Sequence, residues 1–294
     1  MMRRTGIAAA TRLALGAVAL LLATCSQSWP ARTSAAPATS PRAYLPAITA
    51  PAPTPTPPAL PTEARARVNA YRGAAGLQPI TYDPTLDSNC VAHSHYMTVT
   101  GTITHQEDPN HPAYTPAGQI CAGKGNLWFG IQPTGATWTP ADSVDSWMRS
   151  PAHRLWLLYP TTSTMGYGFD TQPGAYAAAA LDVLSGFQPS GDGTYSGWPV
   201  RYPADGQTGI PAVDYPVTLH WPYFGSSPTL GSATLRTGAG ALIPSSATTS
   251  IPAGHKGVLI TPASALPAAT RIVVSVSGAY GGVPFSYTWS FTTR

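Results

Sequence analysis

The sequence is poor in charged residues, which make up only 10% of its 294 residues. It has no run of lysine or arginine, no glycine-rich phosphate loop and no aromatic RNA-binding motif. The formal net charge of +4 falls to +1 when Arg3, Arg4 and Arg12 of the N-terminal leader are set aside. Because binding to phosphate backbones needs a basic surface, the sequence excludes a nucleic-acid partner.

Motifs typical of hydrolases are also missing. The chain has no nucleophile elbow, no HExxH helix and no recognisable cysteine–histidine pairing. Ser94 and Ser150 lie near histidines in the sequence, but a helix surface and a helix cap explain them at least as well. No motif places an acid that could orient a serine–histidine pair. The sequence therefore favours a non-enzyme without deciding the question.

Residues 1–25 are typical of an export signal. A basic start precedes the eleven-residue apolar run 13–23, which is too short to span a bilayer and fits a signal peptide. The run ends in Leu22-Ala23-Thr24-Cys25, which resembles a bacterial lipobox, so that Cys25 would be lipidated and would anchor the protein to a membrane. Ordinary cleavage further on, for example after Ala35, is the alternative. Both alternatives predict an extracellular or cell-surface protein.

Only three cysteines are present. If Cys25 carries lipid, Cys90 and Cys121 remain as a pair, and in an oxidising compartment a disulfide between them would persist. Two buried thiols are the alternative. We expect the disulfide.

Residues 26–61 are expected to form a proline-rich linker. Nine of the twenty-five residues in 37–61 are proline, a composition that favours an extended polyproline spacer and cannot build a core. We expect a disordered spacer with no partner, which would hold the folded part away from a membrane or wall. A ligand for a proline-recognition domain is the alternative.

From Thr62 onward the pattern predicts helices and then strands. A first helix ends at Gly76, a second begins at Asp83-Pro84 and ends at Gly101, a third begins at Thr139-Pro140, and a fourth begins at Ser150-Pro151 with Ser150 as its cap. Residues 106–138, rich in glycine and proline, are expected to be mostly loop. Segments 165–169 and 175–184 are predicted strands, which gives an α+β fold.

After about residue 195 only strand patterns recur. They cover residues 217–221, 233–236, 257–261, 270–277 and 285–292, and short strands separated by turn signals indicate a β-sandwich. Trp289 and Phe291 alternate onto one face and should pack in its core. We therefore divide the folded chain near Ser190, into residues 62–189 and 196–294.

Several segments of the first region together resemble a known family. They are, in order, residues 68–72 (VNAYR), 76–80 (GLQPI), 93–97 (HSHYM) with His105 eight residues on, 147–154 (WMRSPAHR) and 165–168 (MGYG). Over about residues 63–187 the chain resembles the CAP superfamily of cysteine-rich secretory, antigen 5 and pathogenesis-related proteins, in its bacterial branch. The resemblance implies an α-β-α sandwich with a central cleft, often lined by two histidines and two acids that can hold a divalent metal.

Only the histidine positions of that cleft are matched, by His105 and His153. Gly125 and Ser150 stand where many relatives have an acid. Glu107 could substitute in part, because residues i and i+2 of an extended segment point the same way. With His105 and His153 it would resemble a three-ligand zinc site with an open fourth position. Alternatively, His153 bonds a backbone carbonyl and Glu107 lies in a solvated turn.

Four other side chains near the cleft have expected places. His93 shares a helical face with Leu86 and Met97 and should be buried, whereas His95 should lie at the surface. Arg154 is expected to brace a carboxylate or carbonyl near the cleft, with Asp145 as a candidate partner. Trp128 and Phe129 either line the groove or pack in the core.

The second region resembles the bacterial immunoglobulin-like (Ig-like) modules of exported proteins, with residues 215–219 as a first strand and 288–293 as the last.

The sequence leads to three hypotheses for the function. The first is a surface protein whose CAP cleft, with His105, Glu107, His153 and Arg154, binds an extracellular lipid, glycan or peptide, with the Ig-like module as spacer. The second is a metal-dependent extracellular hydrolase using His105, Glu107 and His153. The third is a structural envelope or adhesion protein with a vestigial cleft.

Overall fold

The computed structural model of the protein describes residues 62–131, 137–172 and 175–294. The predicted signal peptide, the lipidation of Cys25 and the linker 26–61 lie outside these residues. In the described part of the chain, no helix combines the length and the apolar character that crossing a membrane would require.

The described residues contain five α-helices, all in the first region. They are α1 (Thr62–Ala74), α2 (Pro84–Thr100), α3 (Pro116–Ala122), α4 (Pro140–Arg149) and α5 (Pro151–Leu157). Local signals set their ends: the Asp83 carboxylate accepts hydrogen bonds from the backbone at the start of α2, and Gly101 ends it with a φ of 66°. The predicted helices at these positions are confirmed.

A four-stranded sheet accompanies these helices, with strands β1 (Thr81–Tyr82), β2 (Gly125–Ile131), β3 (Thr164–Gln172) and β4 (Tyr176–Asp182). Their spatial order is β1-β3-β4-β2, and only the β1–β3 pair is parallel. Ala178 and Ala180 of β4 pack with buried residues of α2 and α3, whereas Ala179 and Leu181 pack with those of α1 and α4. Because successive side chains of a strand point to opposite faces, the sheet lies between two helical layers, as the α-β-α expectation requires.

The expectation of a loop over residues 106–138 is wrong. This stretch contains α3 and β2, and the Thr115 hydroxyl caps α3 by accepting a hydrogen bond from the Gly118 N–H. The Thr115-Pro116 start signal is present in the sequence. The helix has only seven residues, however, and the glycines and prolines around it favour the prediction of a loop.

Two glycines let α2 lie unusually close to the sheet. A Cβ at Gly168 of β3 would overlap the backbone of Cys90 and Val91, and one at Gly166 would overlap Leu86. Only glycine leaves room for such an approach of backbone to backbone. This close contact fixes α2 and therefore the loop that follows it, which carries His105.

The second region is built from antiparallel strands. They are β5 (Val200–Tyr202), β6 (Val217–His220), β7 (Thr229–Thr237), β8 (Leu242–Ile243), β9 (Ser245–Ser250), β10 (Lys256–Pro262), β11 (Arg271–Tyr280) and β12 (Val283–Thr292). They form two four-stranded sheets, with orders β5-β6-β10-β9 and β12-β11-β7-β8. The predicted strands are confirmed, and Trp289 and Phe291 are buried as expected. The fold class is therefore an α+β CAP-type region followed by antiparallel sheets.

The two regions share one core. Buried apolar residues on both sides of the boundary near Ser190 belong to a single continuous cluster, for example Trp147 and Met148 of α4 with Val217 and Leu219 of β6. Contact between regions is therefore extensive, and the division into residues 62–189 and 196–294 stays a prediction.

Candidate functional site

His153 lies in the first turn of α5. The helix α4 begins with a reciprocal capping box between Thr139 and Asp142, and Ser150 ends α4 and precedes α5. The predicted cap by Ser150 is only partly correct, because its backbone is extended as in a cap but its side chain makes no capping hydrogen bond. Asn126 of β2 donates from Nδ2 to the His153 carbonyl oxygen at 3.0 Å, which ties the start of α5 to the sheet.

His105 lies in the loop after α2 and is exposed. Its Nδ1 is 2.8 Å from the carbonyl oxygen of Ala122 at the end of α3. Since a carbonyl oxygen only accepts hydrogen bonds, Nδ1 must carry the proton. In the neutral ring, Nε2 is therefore the nitrogen with a free lone pair, available to a ligand's donor.

His105 is bound to Ala122 at the end of α3, and His153 is bound through its carbonyl to Asn126, four residues further along the chain; we call these two histidines the histidine pair. Partial burial lowers the pKa of His153 below its ordinary value, and the charge of His105 lowers it further. The His153 ring is therefore neutral at pH 7, able to accept and to donate one hydrogen bond. That the two rings line one cleft stays a prediction from the sequence.

Glu107 does not join this pair. It is only 2% exposed, and its Oε1 lies 2.8 Å from Nδ1 of His93, while its Oε2 accepts from the Thr115 N–H at 3.1 Å. The expectation that Glu107 and His105 face the same way is therefore wrong. The segment bends instead of extending, because the Thr104 hydroxyl bonds both the N–H and the carbonyl of Gln106.

His93 and Glu107 form a buried polar pair that no sequence pattern predicts. Nε2 of His93 lies 3.0 Å from the Thr104 carbonyl oxygen and must donate to it. The 2.8 Å contact on the other side of the ring then needs a second proton, which lies between Nδ1 and the Glu107 carboxylate. Burial lowers the pKa of His93, and the hydrogen bond to Glu107 acts in the opposite direction. His93 is buried as expected, but no periodicity points to its partner.

The residues at the histidine pair do not fit the three-ligand zinc site. Glu107 already satisfies His93 and Thr115, and in the described residues no group of three or more His, Cys, Asp or Glu side chains is arranged to hold a metal ion. An acid at position 125 would also be crowded, because a Cβ there would lie 3.0 Å from the carbonyl oxygens of Cys121 and Leu181. Two imidazoles supply only half of a tetrahedral ligand set.

Arg154 follows His153 in α5, but its side chain contacts other groups. It is fully buried, donates from Nε to the Met148 carbonyl at 2.7 Å and from Nη1 to the Pro216 carbonyl at 2.6 Å, and stacks over Tyr202 and Tyr215. The expected partnership with Asp145 is wrong. That carboxylate accepts instead from Arg67 at 2.6 and 2.7 Å. Arg154 braces carbonyls as anticipated, but it joins the two regions of the chain and does not line a cleft.

The remaining expectations near the site are met in part. Cys90 and Cys121 form a disulfide that links α2 to α3, with Cα atoms 5.1 Å apart. His95 is exposed and lies 3.2 Å from Asp170. Phe129 packs against the cluster around the disulfide, while Trp128 is half-buried and lines a surface pocket.

The first region of the chain is similar to known proteins. Residues 65–181 match the cysteine-rich secretory protein family, CAP. No curated protein matches the chain. An outer surface protein of Borrelia burgdorferi is similar with 17% identity and a TM-score of 0.28, over 40% of this chain and 86% of that one. A cysteine-rich secretory protein of Staphylococcus aureus is similar with 20% identity and a TM-score of 0.27, over 44% of this chain and 41% of that one, so the chain spans less than half of that relative. Residues 65–181 of the chain are thus a CAP domain, followed by a region of antiparallel β-sheets.

Proposed function

We propose that this protein is exported, is anchored at the cell surface through Cys25, and binds an extracellular lipid, glycan or peptide at a cleft around the histidine pair. One observation carries the proposal. His105 and His153 come from separate segments, are each tied by a hydrogen bond to the stretch that joins α3 to β2, and remain exposed and half-exposed, respectively. Polar rings held together at a surface, with a free lone pair on His105, suit recognition of a ligand's donor groups.

Export is supported by the covalent structure. A disulfide buried between α2 and α3 persists in an oxidising compartment and is rare in the cytosol. In this proposal the leader delivers the chain, lipid on Cys25 retains it, and the linker 26–61 places the CAP domain away from the membrane. The C-terminal sheets act as an Ig-like spacer or adhesion module.

Binding is favoured over hydrolysis by the position of Glu107. A metal-dependent hydrolase needs ligands and a base that reach the same bound water, whereas this carboxylate is buried against His93 and the backbone of Thr115. The hydrolase therefore has no observation in its favour among the described residues. An experiment must therefore distinguish ligand binding from a structural envelope protein with a vestigial cleft.

The test uses the purified exported protein, titrated separately with palmitate, a neutral tetrasaccharide, an alanine tripeptide and Zn²⁺. We expect saturable binding of at least one organic probe, followed by isothermal calorimetry, to weaken at least tenfold in His105→Ala and in His153→Ala. His95→Ala, which removes an exposed histidine of α2, is the matched control and should bind like the wild type.

Three results would contradict the proposal. Tight Zn²⁺ binding lost in His105→Ala would favour the hydrolase. Absence of binding by all three organic probes would favour the structural protein. If both histidine variants keep wild-type affinity for every organic probe that binds, the ligand of the proposed cleft would lie elsewhere on the molecule.

A further inference from the structure

A surface pocket, separate from the histidine pair, lies between β2, α4 and the C-terminal sheets. Its volume is about 650 Å³, and its walls include Trp128 and Trp138 from the CAP domain and Asp214, Pro216 and Thr261 from the second region. This volume lies within the range of small-molecule sites. We call it the tryptophan pocket. It forms only where both regions of the chain are present.

Two indole rings dominate one side of the tryptophan pocket. Trp128 and Trp138 meet edge to face, with ring centroids 5.3 Å apart and planes at 74°. Trp138 is held in place by its Nε1, which donates to the Ile131 carbonyl at 2.8 Å, yet 38% of it remains exposed. Trp128 is half-buried. Rigid aromatic rings left open to solvent at a concave surface offer a flat apolar platform to a ligand.

The carboxylates around the platform are largely compensated. Asp142 accepts from the Thr139 N–H and hydroxyl at 2.7 and 2.9 Å. Asp145 is bound by Arg67 through two hydrogen bonds and by the Tyr71 hydroxyl at 2.7 Å. These contacts leave Asp214 and Arg149, which are both exposed and lie 3.7 Å apart, as the charged groups that a ligand could rearrange.

Because the Asp142 and Asp145 carboxylates already have hydrogen-bonding partners, the pocket disfavours a cationic ligand. Aromatic cages bind quaternary ammonium groups through the faces of their rings, and a cation already beside those rings opposes such a ligand. Here Arg149 lies on the same pocket wall and opposes a second positive charge. What remains is a dense set of neutral hydrogen-bonding groups, including the hydroxyls of Ser146, Ser150 and Thr261.

We propose that the tryptophan pocket binds a neutral carbohydrate. The C–H face of a pyranose ring would pack on the indoles, and its hydroxyl groups, which both donate and accept, would pair with Asp214, Arg149 and the serine hydroxyls. A pocket of this volume holds more than one sugar unit, so an oligosaccharide is the expected ligand. The proposal does not depend on the histidine pair, because neither His105 nor His153 lines this pocket.

The experiment titrates the purified exported protein with neutral tetrasaccharides of glucose, of mannose and of N-acetylglucosamine, and with choline chloride. Binding is followed by tryptophan fluorescence and by calorimetry. We expect saturable binding of at least one tetrasaccharide, weakened at least tenfold in Trp128→Ala and in Trp138→Ala. Ile131→Ala removes a 70% exposed side chain at the end of β2, outside the pocket, and serves as the matched control.

Trp128 packs in part against the core, so its removal could disturb folding. Ser146→Trp is the second variant: Ser146 is exposed on α4 and lines the pocket, and a bulky side chain there should block the ligand without opening the core. Binding of no tetrasaccharide, retention of affinity in both Trp138→Ala and Ser146→Trp, or tryptophan-dependent binding of choline would each overturn the proposal. Equal affinity of His105→Ala and wild type for the sugar would show that this pocket, and not the histidine pair, holds it.

Discussion

His93 and Glu107 face each other in the buried interior of the CAP domain, with 2.8 Å between Nδ1 and Oε1. The contact holds the loop after α2 against the first turn of α3, because Glu107 also accepts from the Thr115 N–H and its own N–H donates to Gln119. His105 lies two residues before Glu107 on that loop. Alternation in the sequence places Glu107 in the cleft. In the structure, Glu107 is instead buried and holds in place the loop that carries His105.

Glu107→Ala should destabilise the protein. The change leaves Nδ1 of His93 and the Thr115 N–H buried without a partner, and breaking a buried pair in this way costs about 3 kcal/mol. Urea unfolding followed by far-UV circular dichroism measures the loss. Gln106→Ala, an exposed neighbour on the same loop, should change the free energy of unfolding by no more than about 0.5 kcal/mol. Equal free energies of unfolding for the two variants would show that the buried pair does not stabilise the protein.

The disulfide should contribute to stability and to the position of His105. Cys90 and Cys121 close a loop across 31 residues, so the Cys90→Ala/Cys121→Ala double variant should lose about 3–4 kcal/mol in the chain-entropy description. Ala122, whose carbonyl accepts from His105, directly follows Cys121. We therefore also expect the ¹H–¹⁵N imidazole signals of His105 to shift in the variant.

A control separates the disulfide from general effects of reductant. Dithiothreitol should lower the unfolding midpoint of the wild type to near that of the double variant, and should leave the double variant unchanged. If the double variant and the wild type unfold at the same urea concentration, the link between α2 and α3 is not stabilising.

The elements that carried strong local signals could be predicted from the sequence. Asp83-Pro84 and Gly101 define both ends of α2 through side-chain and backbone geometry that involves only neighbouring residues. Ile272, Val274 and Val276 alternate toward the core and identify β11 in the same way. The seven-residue helix α3 escaped such reasoning, as did β2 in the same stretch rich in glycine and proline and the strands β1, β5, β8 and β9.

Partners distant in the chain could not be predicted. The carbonyl that Arg154 binds belongs to Pro216, 62 residues away, and nothing near Arg154 in sequence indicates it. Alternation placed Glu107 beside His105, but alternation holds only for extended backbone, and the Thr104 side chain bends this segment. The positions of His105 and His153 came from family resemblance, not from any local pattern.

Arg154→Met should weaken the junction between the two regions. The variant keeps much of the side-chain volume but leaves the Met148 and Pro216 carbonyls buried without a donor, at a cost of about 2–3 kcal/mol. We expect faster hydrogen exchange in β6, which follows Pro216, as well as a lower urea midpoint. Arg149→Met, at an exposed position on α4, should leave both unchanged. Unaltered exchange in β6 of Arg154→Met would show that the guanidinium does not hold this strand.

Acid should destabilise the protein through two histidines at the same junction. His220 of β6 and His255 are buried, and within the described residues the Nε2 of each has no hydrogen-bond partner. Burial lowers the pKa of His220 to about 3 and that of His255 to about 4, from an ordinary value of 6.5. At a pH between 6.5 and these lowered pKa values, the unfolded chain binds more protons than the folded one. The free energy of unfolding is therefore greatest above pH 6.5 and falls as the pH drops toward 4.

Replacing both histidines with phenylalanine tests this origin of the acid sensitivity. Phenylalanine keeps the aromatic packing, in which Trp156 lies 4.6 Å from the His255 ring, but cannot bind a proton. We expect the urea midpoint of His220→Phe/His255→Phe to depend less steeply on pH between 6.5 and 4 than that of the wild type. Some slope should remain, because burial also lowers the pKa of His93 and His153. A double variant as acid-sensitive as the wild type would assign the effect to other groups.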